Sequence, residues 1–146
     1  MRVSALAIAF TIAAGPAFIM PLLTTTAQAV QDQPVMIGGV ETVCTGVGSA
    51  KDNPAWSAYP VKLVFANSAG EDLAQIHVAV MQAGKPVVET DCDAPWLLMK
   101  LPAGSYNVSA TMPGNSGDRI GKASFAAKGG AQQTVTVMLP QSGKTP

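Results

Sequence analysis

Residues 106–112 read Tyr106-Asn107-Val108-Ser109-Ala110-Thr111-Met112. Large or apolar side chains stand at every second position, with Asn107, Ser109 and Thr111 between them. A strand turns successive side chains to opposite faces, so this alternation describes a half-buried strand and no helix. Tyr106, Val108, Ala110 and Met112 form the inward set.

The same period recurs on both sides of this stretch. Tyr59–Ala66 carries Val61, Leu63 and Phe65 inward, Ile76–Met81 carries Ile76, Val78 and Val80, and Thr134–Leu139 carries Val135, Val137 and Leu139. Gly38–Cys44, Pro86–Asp91, Trp96–Leu101 and Ile120–Ala126 read as four further strands. Turn chemistry separates these runs: Ala83-Gly84-Lys85, Pro102-Ala103-Gly104, the long loop Pro113-Gly114-Asn115-Ser116-Gly117-Asp118, and Gly129-Gly130. Glycine and proline at such points break regular structure and supply turn geometry. A short helical turn suits Asn53–Ser57, and no amphipathic helix is evident after residue 29. Seven to eight short strands in one domain imply an all-β, two-sheet sandwich.

The N-terminal 29 residues read differently. Arg2 precedes a charge-free apolar run from Val3 to Leu23, and Thr24-Thr25-Thr26 leads to Ala27-Gln28-Ala29. A basic start, an apolar centre and small residues at the end are the pattern of a signal peptide, with cleavage expected after Ala29. An uncleaved anchor is the competing reading, because about 20 apolar residues span a bilayer; Gly15, Pro16 and Pro21 interrupt this run. The expected layout is a signal helix over 1–29, a flexible lead-in over 30–37, the sandwich over 38–140 and a tail over 141–146. The compartment that follows is periplasmic or secreted, with membrane contact only through the signal before cleavage.

Composition narrows the function classes. The chain has nine basic and nine acidic residues, and removing Arg2 with the signal leaves eight against nine. A near-neutral, sparsely charged domain has no electrostatic footprint for nucleic acid or an anionic membrane. Two cysteines, Cys44 and Cys92, allow a single pairing, which an oxidising compartment favours; two free buried thiols are the alternative. A zinc site is disfavoured, because two cysteines and the lone His77 lack a fourth ligand.

The stretch Leu101-Pro102-Ala103-Gly104-Ser105-Tyr106-Asn107-Val108-Ser109-Ala110 resembles the Leu-Pro-x-Gly-x-Tyr-x-Val-x-Ala signature of carboxypeptidase regulatory-like domains. Upstream, the Gly-Gly-Val segment, the strand Tyr59–Phe65, the turn Gly70-Glu71-Asp72-Leu73-Ala74 and the strand His77–Val80 are similar to small exported bacterial members of that group. The resemblance spans about residues 38–139. It implies a prealbumin-like sandwich, where strand count alone suits an immunoglobulin-like one equally, and it implies a non-catalytic module for ligand contact, adhesion or folding support. Nothing resembles the peptidase from which the family takes its name.

Few residues invite a chemical role. His77 stands on the outward face of its strand and would need a serine and a carboxylate to converge on it for triad chemistry. Asp91-Cys92-Asp93 places two carboxylates close in sequence, short of the six to eight oxygens calcium takes and silent about the separation glycoside hydrolysis needs. Trp56, Tyr59 and Trp96 are the large aromatics outside the plain strand cores. They are candidate ligand contacts if exposed, and caps on the sandwich ends if buried. Asn107-Val108-Ser109 matches a glycosylation acceptor, read as chance in a bacterial-looking chain, and Gly46-Val47-Gly48 lacks the lysine of a phosphate loop, with Lys51 misplaced for it.

These readings favour an exported, non-catalytic binding or accessory module at the cell envelope, with no cofactor and no metal. Its partner would be an unknown envelope protein or glycan. An assembly component acting through sheet edges and a small periplasmic hydrolase are the alternatives.

Overall fold

The computed structural model describes residues 31–115 and 117–141. The expected signal peptide, the cleavage point at Ala29 and most of the 141–146 tail lie outside the described residues. Among the described residues nine strands run in order: β1 (Val35–Ile37), β2 (Val40–Thr45), β3 (Val61–Asn67), β4 (Ile76–Gln82), β5 (Lys85–Cys92), β6 (Trp96–Met99), β7 (Gly104–Met112), β8 (Arg119–Ala127) and β9 (Gln133–Leu139). Two short 3-10 helices, Gly48–Asp52 and Pro54–Ala58, lie between β2 and β3. Among the described residues no helix is long and apolar enough to cross a membrane.

The strands form two sheets, one of five in the order β1-β2-β6-β3-β9 and one of four in the order β5-β4-β7-β8. Between the named strands every pairing is antiparallel except β3 with β9, which is parallel. The chain is an all-β, two-sheet sandwich, and the eight strands read from the sequence all form. The ninth, β1, falls within the segment expected to be a flexible lead-in. That expectation is corrected: Val35–Ile37 pairs antiparallel with Val40–Thr42 across the Gly38-Gly39 turn. Ile37 is buried in the core. Further back, the Asp32 amide donates to the Cys44 carbonyl at 2.7 Å and the Thr45 hydroxyl to Asp32 Oδ1 at 2.6 Å. Backbone pairing to an otherwise open edge orders this segment despite its weak strand pattern.

Alternation sets the core as the sequence predicts. Val61, Leu63, Phe65, Ile76, Val78 and Val80 are wholly buried, and Tyr106, Val108 and Ala110 nearly so. The Tyr106 and Phe125 rings stack at 5.6 Å on neighbouring strands β7 and β8. Two departures from alternation matter. Leu97, Leu98 and Met99 of β6 are all buried, because an apolar run without alternation must be covered on both faces. The loop carrying the two 3-10 helices supplies that cover. At the other side of the sandwich, Gly121 on β8 meets β9 so closely that a Cβ there would lie 2.5 Å from the Met138 carbonyl oxygen. Only glycine lets the two sheets close at that seam.

Candidate functional site

The cysteines are joined. Cys44 on β2 and Cys92 on β5 form a disulfide between the two sheets, with both residues fully buried and their Cα atoms 5.6 Å apart. Its partners point inward on their strands, so the crosslink runs through the core and ties inner strand β2 of one sheet to edge strand β5 of the other.

The three candidate aromatics separate. Trp56 and Tyr59 are buried at 8% and 3% exposure, packed with Val43 and Leu98 in a second small cluster. This cluster lies on the outer face of the five-stranded sheet, since Val43 and Leu98 neighbour each other there in the β2–β6 register. The Trp56 indole donates to the Ala50 carbonyl at 2.8 Å and meets Tyr59 edge-on at 6.2 Å. Gln132 ties the pair down by donating to the Trp56 and Tyr59 carbonyls at 2.7 and 3.1 Å. Neither ring offers an open face to a ligand. Of the two readings the sequence left open, contact if exposed or cap if buried, Trp56 and Tyr59 follow the second: polar neighbours in sequence do not expose Trp56, because outward Val43 and Leu98 need an apolar lid.

Tyr59 also anchors a polar network. Its hydroxyl donates to Glu41 Oε1 at 2.6 Å, and Lys100 Nζ reaches the same oxygen at 3.0 Å. The hydrogen bond from Tyr59, helped by Lys100, holds the Glu41 carboxyl below its usual range. Burial, and then the Glu41 carboxylate, pushes the Tyr59 phenol far upward. The phenol therefore stays protonated and serves as a fixed donor.

Trp96 is the one candidate aromatic that keeps partial exposure. Lys62 Nζ lies 3.4 Å from its ring centroid and Lys51 Nζ 5.5 Å away.

On the opposite sheet, His77 projects from the outer face. Its Nδ1 meets Asp91 Oδ1 at 2.7 Å and its Nε2 meets Glu89 Oε1 at 3.2 Å. The Asp91 hydrogen bond, with Glu89 adding to it, outweighs partial burial and raises the His77 pKa. With carboxylates on both sides of the ring, the imidazole has no free nitrogen to act as a base on a serine. The two carboxylates also lie off opposite ring edges, so they do not converge with His77 on a point where a metal would sit. Among the described residues no group of three histidine, cysteine or carboxylate side chains could hold a metal ion.

A shallow groove of about 290 Å³ lies on this same sheet, lined by Met81, Asn107, Ser109, Lys122 and Ser124 among others. In the β4–β7–β8 register Ala79, Ser109 and Lys122 stand in one row, and His77 and Thr111 in the next. The groove mixes the small Ser109 of β7 and Ser124 of β8 with the longer Met81, Asn107 and Lys122. The sequence shows these residues as the outward set of their strands. Which of them share a row depends on pairing between segments far apart in the chain.

No protein-family model matches the chain, and no curated protein matches it at significance.

Proposed function

We propose that this chain is an exported, non-catalytic β-sandwich that binds an envelope protein or glycan, related in kind to the carboxypeptidase regulatory-like domains its sequence resembles. The observation that carries this reading is the buried Cys44–Cys92 disulfide between the sheets. Such a bond forms and persists in an oxidising compartment, which agrees with the pattern of residues 1–29. A sandwich so clamped is a rigid support, and a rigid support with an open, mixed-polarity face suits recognition. The groove beside Lys122, with the His77–Asp91–Glu89 charges on the neighbouring strands, is the surface assigned to contact. The engagement of both His77 nitrogens favours this over hydrolysis.

Expression of the full chain in a bacterial host, followed by fractionation and N-terminal sequencing, tests export: the released protein should begin at Val30. A stable membrane form beginning at Met1 would contradict it. Peptide, ester and glycan hydrolysis should be no faster than the uncatalysed rate, and turnover abolished by His77→Ala would replace binding with catalysis.

A second reading has one observation in its favour. Met36 on edge strand β1 is well exposed, and open edges accept added strands. Concentration-dependent association in sedimentation would favour assembly through that edge.

A further inference from the structure

Lys62 is an unusual cation. It stands on β3 between Val61 and Leu63, both wholly buried, so alternation turns it to the outer face of the five-stranded sheet. β3 is an inner strand, flanked by β6 and β9, and the lysine is half-buried. Among the described residues it has no carboxylate within ion-pair distance and no hydrogen-bond acceptor. Its neighbour is the Trp96 ring, 3.4 Å from ammonium to centroid.

Gly46 also packs closely against this ring: a Cβ there would fall 2.7 Å from two ring atoms, and Gly46 has a φ of +107°. The second charge near this indole is also positive. Lys51 Nζ lies 5.5 Å from the same centroid, and Asp72 at 2.9 Å already holds it. Two cations thus face one indole with a single carboxylate, spent on the outer cation. Burial and the Lys51 charge both depress the Lys62 pKa, against a weaker opposing pull from Asp72. A ring quadrupole attracts a cation less strongly than an anion does. The arrangement is short of one negative charge.

Two hydroxyls stand across β3 from the ring. Thr134 of β9 is the register partner of Lys62 and Thr136 that of Val64, so both share this face, and both are exposed. We propose that Lys62 and Lys51, braced on Trp96, form an oxyanion site that receives the carboxylate or phosphate group of a small ligand, with Thr134 and Thr136 as flanking donors. This site is on the sheet opposite the His77 groove and goes beyond the function proposed above.

The test follows the Lys62 side-chain NMR signal, assigned through Lys62→Arg, while acetate, inorganic phosphate or chloride is added at fixed ionic strength. Acetate or phosphate should shift the signal saturably and raise the Lys62 pKa, and the stronger of the two identifies the ligand group. Chloride should do neither. Lys62→Gln should weaken oxyanion binding at least tenfold, Lys62→Arg should retain it, and Lys51→Gln should weaken it while raising the Lys62 pKa in the unliganded protein. Equal responses to all three salts would reduce the effect to screening and overturn the proposal. Unchanged oxyanion affinity in a folded Lys62→Gln variant would do the same. Should that variant fail to fold, the wild-type signal still decides between the outcomes.

Discussion

Cys44 and Cys92 face each other through the interior from different sheets, 48 residues apart in the chain and 5.6 Å apart at their Cα atoms. Closing a loop of that length restricts the unfolded chain by roughly 4 kcal/mol in the chain-entropy account. Cys92→Ser should therefore lower stability by about 2–5 kcal/mol, measured by urea unfolding of the mature domain. Wild-type protein unfolded with and without reductant should show the same difference, and quantitative thiol labelling of unreduced protein would contradict the bond.

Val108 and Ser109 give a paired prediction on adjacent residues. Val108 is 2% exposed among the sheet-facing core residues, while Ser109 lines the outer groove. Val108→Asp buries a charge without a partner and should abolish folding. Ser109→Asp should shift the thermal midpoint by no more than a few degrees. Circular dichroism melts of both variants check the assignment of faces, and similar behaviour in the two would break it.

Tyr106 donates its hydroxyl to the Pro102 carbonyl at 2.8 Å, fastening the turn before β7 to the strand it feeds. This bond gives the proline and tyrosine of the Leu-Pro-x-Gly-x-Tyr stretch a joint structural task. Tyr106→Phe keeps the stack on Phe125 and removes one hydrogen bond, so the expected loss is about 1 kcal/mol. Denaturant midpoints measure it.

Trp56→Ala should destabilise the domain by about 3 kcal/mol, since it empties a small buried cluster and frees the Ala50 carbonyl. Loss of a binding partner with full retention of stability would instead point to an exposed indole. The unfolding midpoint of this variant, compared with that of Ser57→Ala on the exposed turn, decides.

His77 sets a pH dependence with a definite sign. Its folded pKa is raised above the ordinary 6.5 by Asp91 first and Glu89 second. The unfolded chain binds fewer protons than the native protein once pH passes 6.5, so stability falls as pH rises through the folded pKa. Below the ordinary value the contribution is complete, as long as the carboxylates stay ionised. His77→Gln should flatten the stability profile between about pH 6 and 8, read from unfolding midpoints across that range. A wild-type profile that climbs through the same window by way of His77 would reverse the assignment.

The alternating stretches and the two cysteines decided a great deal unaided. Val61, Leu63 and Phe65, or Ile76, Val78 and Val80, declare their inward side in any strand, because the side-chain period is two wherever the strand sits. Turn residues declare where those strands stop. These local rules gave eight strands, the inward faces and the single possible crosslink. They could not give β1, whose three residues are a strand only because β2 offers an edge for pairing. Burial of Trp56 was one of two open readings: its neighbours in sequence are polar, and its lid over Val43 and Leu98 exists only once β2 and β6 lie side by side. Lys62 was legible as an outward residue, but its place over Trp96 needs the antiparallel β3–β6 register, and the second cation arrives from a loop. His77 likewise meets Asp91 and Glu89 only through the β4–β5 pairing. Local chain geometry fixes the direction in which a side chain leaves the backbone; which partner it meets there is decided by contacts between distant segments, and those exist only in the folded protein.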